Sequence, residues 1–482
     1  MGTQPHRPPQ GTVVLTEATR LRRKSASATP NRKPARASSR DEPPKPGLAA
    51  RQAAAKLLGA VIEGRTSLDG LTDDAHGHPH YLALEPRDRG LVRAMLATAL
   101  RFRVTIGKLI ESRLDRPLPP RASALTHVLH IAAAQILFLD VPDSAAVDLA
   151  VAQAKDDPRT ARFDALVNAV LRELARRKER ALPAALAATV DAPDWFALRL
   201  AEAYGEDQAR AILAMHRHEA PTDFTVRSDP AVWAERLGGI VLPTGSVRVA
   251  KPGGPVSGLP GYDEGAWWVQ DAAASLPARL LGDVAGLRVA DLCAAPGGKT
   301  AQLALAGARV TAVDTSRNRL KRLGVNMARL GLDVEIVEAE IATWSPEQPF
   351  DAVLLDAPCS STGTVRRHPD VPWTKTPDDI GRLAVVQRRL LDAAFRMVGP
   401  GGRLVFSNCS LDQTEGEELV AAFLAETPGA ERDPVRPGEV AGIDAFITAE
   451  GNLRTTPAGL DLGDPAISGL DGFFAARFRR SG

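Results

Sequence analysis

Cysteine occurs three times in 482 residues, and each time just past an apolar run: in Asp291-Leu292-Cys293-Ala294-Ala295-Pro296-Gly297-Gly298-Lys299-Thr300, in Asp356-Ala357-Pro358-Cys359-Ser360-Ser361-Thr362-Gly363, and in Ser407-Asn408-Cys409-Ser410. One buried cysteine by itself reads as a small apolar filler. Three of them at run ends, beside Asp, Ser and Gly, read as reactive thiols, and the chemistry they offer is nucleophilic attack by a thiolate. They are too few and too widely spaced for a disulfide framework or a zinc cluster, and they suit a reducing cytoplasm.

The first of these segments is also rich in glycine. A glycine turn between a strand and a helix lets backbone amides approach a ligand closely. A phosphate-cradling loop of the Gly-x-x-x-x-Gly-Lys-Thr type requires glycine where Cys293 stands, so that reading fails, and Gly-x-Gly-x-x-Gly is absent as well. What remains is a strand, a short loop and a helix, with Asp314 ending the next strand, where a carboxylate can accept from ribose hydroxyls. An adenosine-containing cofactor fits this pattern, and a tight turn with a strand-ending acid is the plainer alternative.

The elements that carry these segments alternate. Arg288–Leu292, Val310–Asp314, Val334–Val337, Phe350–Asp356 and Arg403–Asn408 are near-continuous apolar strands separated by helical stretches, which predicts a doubly wound, mostly parallel α/β sheet over 282–482. Ligands of such sheets bind beyond the carboxyl ends of the strands, so Cys293, Asp314, Asp356, Cys359 and Cys409 should converge on one edge. Residues 47–180 recur in apolar character at three- and four-residue steps, as in Ala53–Leu58, Leu91–Leu96 and Ala161–Arg177, and predict an all-α bundle. The charge-free run Ala122–Leu139 contains His127, His130 and Gln135 and reads as a buried helix rather than a membrane span. Residues 181–281 mix a helical run near Trp195–His216 with short strands such as Phe224–Val226 and Gly238–Leu242, as a small α+β linking module would. Residues 1–46 carry ten Lys or Arg against Glu17, Asp41 and Glu42, and few large apolar side chains, so they read as a disordered basic tail before a mildly acidic body. His76-Gly77-His78-Pro79-His80 reads as a loop, and no metal site is expected there. No signal peptide is visible, and no membrane association is expected.

Taken together, these motifs resemble the RsmB/Sun family of ribosomal RNA (cytosine-5-)-methyltransferases. The likeness extends to Val365-Arg366-Arg367-His368-Pro369-Asp370, to the acidic Glu415-Gly416-Glu417-Glu418 after Asn408-Cys409-Ser410, to Val269-Gln270-Asp271 and to the closing Asp471-Gly472-Phe473-Phe474. Phe163–Arg172 and Val141–Val147 resemble a NusB-like RNA-binding domain. The resemblance implies a Rossmann-like methyltransferase domain, S-adenosylmethionine as cofactor, small-subunit ribosomal RNA as partner, a cytoplasmic location and a monomer. It implies that Cys293, Ala294, Ala295, Pro296, Gly297, Gly298 and Lys299 line the cofactor and that Asp314 holds its ribose. By the same resemblance Glu340 stands where the family usually has Asp, Asp356 lies between cofactor and base, Cys409 is the nucleophile and Cys359 assists release. Asn408 takes the place of a commoner small hydroxyl residue.

A thiol has a clear use in such a reaction. Carbon 5 of cytosine is a poor nucleophile, and sulfur addition at carbon 6 turns it into the nucleophilic end of an enamine. A carboxyl such as Asp356 can hydrogen-bond the pyrimidine edge as sulfur adds, and two cysteines suit addition and release as separate tasks. The base must be unpaired or flipped to reach a thiol. The cluster Arg366, Arg367 and His368, beside the site, is expected to meet RNA phosphates. Two rivals stand: a DNA cytosine-5 methyltransferase with Cys359 as nucleophile, and a non-catalytic RNA-binding scaffold.

Overall fold

The computed structural model describes residues 45–482, so the tail expected over 1–46 lies, apart from its last two residues, outside them. The helical stretch forms Leu48–Ile62, Pro86–Arg101, Arg103–Glu111, Ser123–Phe138, Asp143–Asp156 and Asp164–Ala187. Ser123–Phe138 is the run read as a buried helix. It buries Leu125, Val128, Leu129, Ile131, Ala133 and Ile136, which point to several sides, so it forms the centre of the bundle. Each of the Leu, Val and Ile side chains contributes about 1.5–3 kcal/mol by leaving water. Two of its polar side chains find partners: Gln135 Oε1 accepts from Arg51 Nε at 2.9 Å, and His127 Nε2 faces Glu63 at 2.8 Å. Among the described residues no helix is long and apolar enough to cross a membrane.

The run near Trp195–His216 is two helices, Asp194–Tyr204 and Glu206–Met215, broken at Gly205. Beyond them lies a four-stranded antiparallel sheet of β1 (Thr222–Val226), β2 (Ile240–Val241), β3 (Val247–Val249) and β4 (Trp267–Val269), in the order β2-β3-β1-β4. Only Ile240–Val241 of the stretch Gly238–Leu242 is strand. Phe224, Trp233, Val247 and Trp267 fill its core. Arg248 and Asp223 pair across it through two 2.7 Å hydrogen bonds, with both side chains buried.

The second sheet comprises β5 (Arg288–Leu292), β6 (Arg309–Asp314), β7 (Glu335–Glu338), β8 (Phe350–Asp356), β9 (Val398–Asn408), β10 (Ala430–Arg432), β11 (Leu453–Thr455) and β12 (Phe473–Arg480). Its order is β10-β12-β9-β8-β5-β6-β7, with β11 paired to β12. Strands β5 to β9 are parallel, whereas β10, β11 and β12 add antiparallel pairings at one side. Leu390, Leu391, Phe395 and Phe423 cover one face, and Leu276, Leu280, Leu303 and Phe446 the other. This is the doubly wound arrangement. The order reverses between β5 and β8, so the carboxyl ends of these two strands open the crevice in which such sheets bind ligands.

One backbone contact seals the edge of that crevice. Gly363 N donates to Cys409 O at 2.9 Å, and Gly363 O accepts from Gly472 N at 2.8 Å, which ties the loops after β8 and β9 to the start of β12. A Cβ on Gly363 would lie 2.0 Å from the Gly472 carbonyl oxygen, and backbone cannot swing aside as a flexible side chain can. Gly363→Ala should therefore destabilise the fold by at least about 1–3 kcal/mol. The check is a lower urea midpoint with an unchanged slope.

Candidate active site

Two sets of groups meet at the crevice. On the β5 side, Cys293 to Lys299, Asp291, Asp356, Trp268, Gln270 and Asn326 are among the residues lining a cleft of about 360 Å³, within the size range of small-molecule sites. Cys293 has φ 60° and Gly297 φ 103°, left-handed values that turn the loop sharply before the helix Gly298–Leu305. A Cβ on Gly297 would also press on Leu323 and Met327 at 3.0 and 3.1 Å. Gln270 braces the opposite wall: Oε1 accepts from Thr225 Oγ1 at 2.8 Å and Trp268 Nε1 at 2.9 Å, while Nε2 donates to Gln302 Oε1 at 2.8 Å. Asp291 is fully buried under the loop. Thr300 donates to its Oδ2 at 2.6 Å, but its Oδ1 has no partner, and burial pushes its pKa up to about 7.

The cleft does not gather every residue expected there. Asp314 is 2 % exposed at the end of β6; its carboxylate accepts from the Ala295 amide at 3.3 Å and the Ser316 amide at 3.0 Å, with Arg319 at 3.2 Å. It sits behind the loop rather than on the cleft wall. Glu340 lies two residues past β7, its side chain 52 % exposed, facing Arg389 at 3.5 Å. Trp268, Asn326 and Asp291 line the cleft without having been singled out for it. Their only signal was proximity: Asp291 opens the glycine segment, and Trp268 precedes Val269-Gln270-Asp271.

On the β8 and β9 side, the sulfurs of Cys359 and Cys409 stand 3.3 Å apart. Asp356 and Ser407 are register partners, and Ser407 Oγ donates to Asp356 Oδ1 at 2.8 Å. Lys299 Nζ reaches across from the glycine loop to Asp356 Oδ2 at 2.7 Å, so Asp356 joins the two halves of the crevice. The thiols are unequal. A hydrogen bond from Cys359 holds Cys409 below the ordinary thiol range, and the same bond, with burial, pushes Cys359 well above it. The shifts run in opposite directions, with Cys359 as the donor of the shared hydrogen bond and Cys409 the sulfur moved toward the thiolate. Burial, then the carboxylates of Asp356 and Asp314, push the third thiol, Cys293, far up, so it stays protonated.

Ser361, at φ 61°, turns the Cys359 loop back, and its Oγ lies 3.7 Å from Cys409 Sγ. Asn408 is nearly fully buried: Nδ2 donates to Glu415 O at 2.7 Å, and Oδ1 accepts from the Ser410 amide at 3.0 Å. An amide side chain at that position thus shapes the turn that carries Cys409.

Contrary to the expected contact with phosphates, the basic cluster after the Cys359 loop is engaged within the protein, with Arg366 buried and Arg367 and His368 half-buried. Arg366 is 2 % exposed and donates to Ser468 O and Glu219 O. Arg367 Nη2 binds Asp271 at 2.6 Å, and its Nε binds Asp471 at 3.0 Å. His368 pairs with Asp69 of the helical bundle at 3.1 Å. Carboxylates distant in the sequence pair with Arg367 and His368, and distant backbone carbonyls take up Arg366.

Comparison with known proteins identifies the family and the fold. The family model for the 16S rRNA methyltransferase RsmB/F matches residues 279–479, and the NusB family model matches 48–176. The ribosomal RNA small subunit methyltransferase B of Xanthomonas campestris pv. campestris is 38 % identical over 408 residues, covering 81 % of this chain and 90 % of that protein. The protein of the same name from Vibrio cholerae is 34 % identical over 410 residues, covering 80 % and 92 %. Among solved structures, that of PH0851 superposes with a TM-score of 0.66 at 23 % identity, over 91 % of this chain and 99 % of that one. NSun6 from Pyrococcus horikoshii superposes at 0.50 and 19 %, over 60 % and 98 %; both similarities concern the fold.

The inequality of the thiols can be read directly. Iodoacetamide should label Cys409 first, and already at a pH below that of an ordinary cysteine, about 8.5. Peptide mass spectrometry of the folded protein across a pH series reads this order; earlier labelling of Cys359 would reverse the assignment of donor and thiolate.

Proposed function

Since the chain belongs to the family of ribosomal RNA small subunit methyltransferase B, we propose that it methylates carbon 5 of a cytosine in small-subunit ribosomal RNA through a covalent bond from Cys409 to the base. It is a ribosomal RNA methyltransferase, and S-adenosylmethionine is its methyl donor. The observation that carries the finer reading is the pair of sulfurs 3.3 Å apart beside Asp356, next to a cleft floored by the glycine loop.

The residues present fit that donor. The cleft offers backbone from Cys293 to Gly298 at a helix start, the apolar walls of Trp268 and Met327, and the unpartnered oxygen of buried Asp291. By their place in the sheet, at and just past the ends of β6 and β7, Asp314 and Glu340 belong on the nucleoside side, where Asp314 acts from behind the glycine loop through the Ala295 amide and Glu340 must turn from Arg389 to reach the cleft. When bound, S-adenosylmethionine supplies an electrophilic methyl carbon. Lys299 and Ser407 hold Asp356 at the junction, where its carboxyl meets the pyrimidine edge. Cys409 bonds to carbon 6, and carbon 5 gains the nucleophilic character to take the methyl group. A base then removes the carbon-5 proton, the carbon 5–carbon 6 double bond re-forms, and the carbon–sulfur bond breaks. The S–H of Cys359 meets the departing Cys409 sulfur, which makes it a better leaving group. In this reading 47–180 is the NusB-like RNA-binding part, 181–281 a linking module, and 282–482 the methyltransferase part.

Substituting each thiol separately tests the reading. Cys409→Ala should abolish both 5-methylcytosine formation and any protein–RNA adduct. Cys359→Ala should let an adduct accumulate that survives denaturing electrophoresis. The reverse pattern would make Cys359 the nucleophile, as in the DNA-enzyme reading. Mapping 5-methylcytosine in ribosomal RNA from cells lacking the protein identifies the base.

A further inference from the structure

The acidic run after Cys409, Glu415-Gly416-Glu417-Glu418, takes no part in the chemistry above, yet its first member is completely buried between the two thiol loops. Glu415 Oε1 accepts from the Ser360 amide at 2.9 Å and from Gln387 Nε2 at 2.7 Å. Its Oε2 accepts from Ser410 Oγ at 2.6 Å and from Ser360 Oγ. Ser360 directly follows Cys359, and Ser410 directly follows Cys409. One carboxylate therefore holds the residue after each sulfur, Ser360 by its amide and hydroxyl and Ser410 by its hydroxyl. Four neutral donors answer it, an arrangement that satisfies a buried anion without cancelling its charge.

We propose that Glu415 is the positioning residue of the two thiols, its carboxylate locking the Cys359 and Cys409 loops in the register that keeps their sulfurs at reacting separation. Gln387, reaching in from the helix Pro377–Met397, fixes the carboxylate from behind, and Gln387 Oε1 accepts from Asn408 Nδ2 at 3.3 Å. The retained charge adds a second effect. Glu415 is among the groups that push the Cys359 thiol up, after its bond to Cys409 and its burial, so it helps keep the proton on the sulfur that assists release. Asp356 and Asp471 are the other carboxylates facing the pair, and both act on Cys409. Glu417, by contrast, is spent on Arg454 at 2.6 Å and braces β11.

This inference rests on the covalent reading above, and its test separates the two. RNA of the small subunit transcribed with 5-fluorocytidine traps the adduct, because fluorine on carbon 5 cannot leave as a proton. If the wild-type full chain forms no adduct, the covalent reading itself fails. Given a wild-type adduct, Glu415→Gln should bind S-adenosylmethionine with unchanged Kd while forming adduct slower by on the order of tenfold to a hundredfold, the scale of a small misplacement of reacting atoms. With the carboxylate charge gone, the Cys359 proton is lost at lower pH, so the alkaline fall in turnover should move to lower pH. Ser410→Ala, which removes only the hydroxyl on the Cys409 side, should slow adduct formation and leave that pH limb in place. Should Glu415→Gln not fold, the Ser410→Ala rate decides. Wild-type adduct rates in the folded variants, with the pH limb unmoved, would overturn the proposal.

Discussion

A buried cluster of charges centred on Arg367 holds the parts of this molecule in register. Asp271 ends the approach from β4 to the cofactor cleft, Arg367 follows the Cys359 loop, and Asp471 precedes Gly472 and β12. Arg367 Nη1 also donates to Pro221 O, just ahead of β1. Burial and the neighbouring Asp271 push the pKa of Asp471 up to about 7, whereas Arg367 outweighs burial and keeps Asp271 ionised. Each ion alone would be costly away from water; together they are stable only in one geometry, and removing one partner from such a set costs about 3–5 kcal/mol. The small sheet, the segment after the Cys359 loop and the start of β12 are thus located by a common anchor.

Within that frame the crevice divides its labour by strand. The β5 end presents backbone and apolar walls suited to a nucleoside-bearing cofactor, while the β8 and β9 ends present sulfur and carboxylate. Asp356 stands on the boundary, bonded to Lys299 from one side and Ser407 from the other. Because β5 and β8 are neighbours at the point where strand order reverses, no connection crosses above them, and both loops can lean over the same opening.

The parallel core was legible because its strands are near-continuous apolar runs bounded by polar strand ends. Arg288–Leu292 and Phe350–Asp356 appear as read, and Val310–Asp314 gains one residue. Arg403–Asn408 is the second half of β9; Gly399, Pro400, Gly401 and Gly402 disguised the first half as a turn. β12 went unread as a strand because Arg477, Arg479 and Arg480 interrupt it. Arg477 is nevertheless buried, paired with Asp433 and Glu439. The same blindness applied to Arg366, Arg367 and His368, since a charged residue does not announce a partner 96 or more positions away. In the site, the loops that end on strands were legible from local motifs. Glu415, Gln387 and Ser361 were not, because their roles arise from contact through space between separate elements.

Four of the ties between the bundle and the rest of the described chain gather in a narrow band, beside others such as Asp73–Arg322 and Arg101 to His216 O. Leu68 N donates to Asp370, Asp69 pairs with His368, Arg101 donates to Arg366 O, and Trp373 Nε1 donates to Leu100 O. All four ties land within eight residues, 366–373, a short step downstream of Cys359. The consequence is metrical. The helical part is fastened to the segment that follows the Cys359 loop, so its distance from the thiols is set by a short, braced stretch of chain.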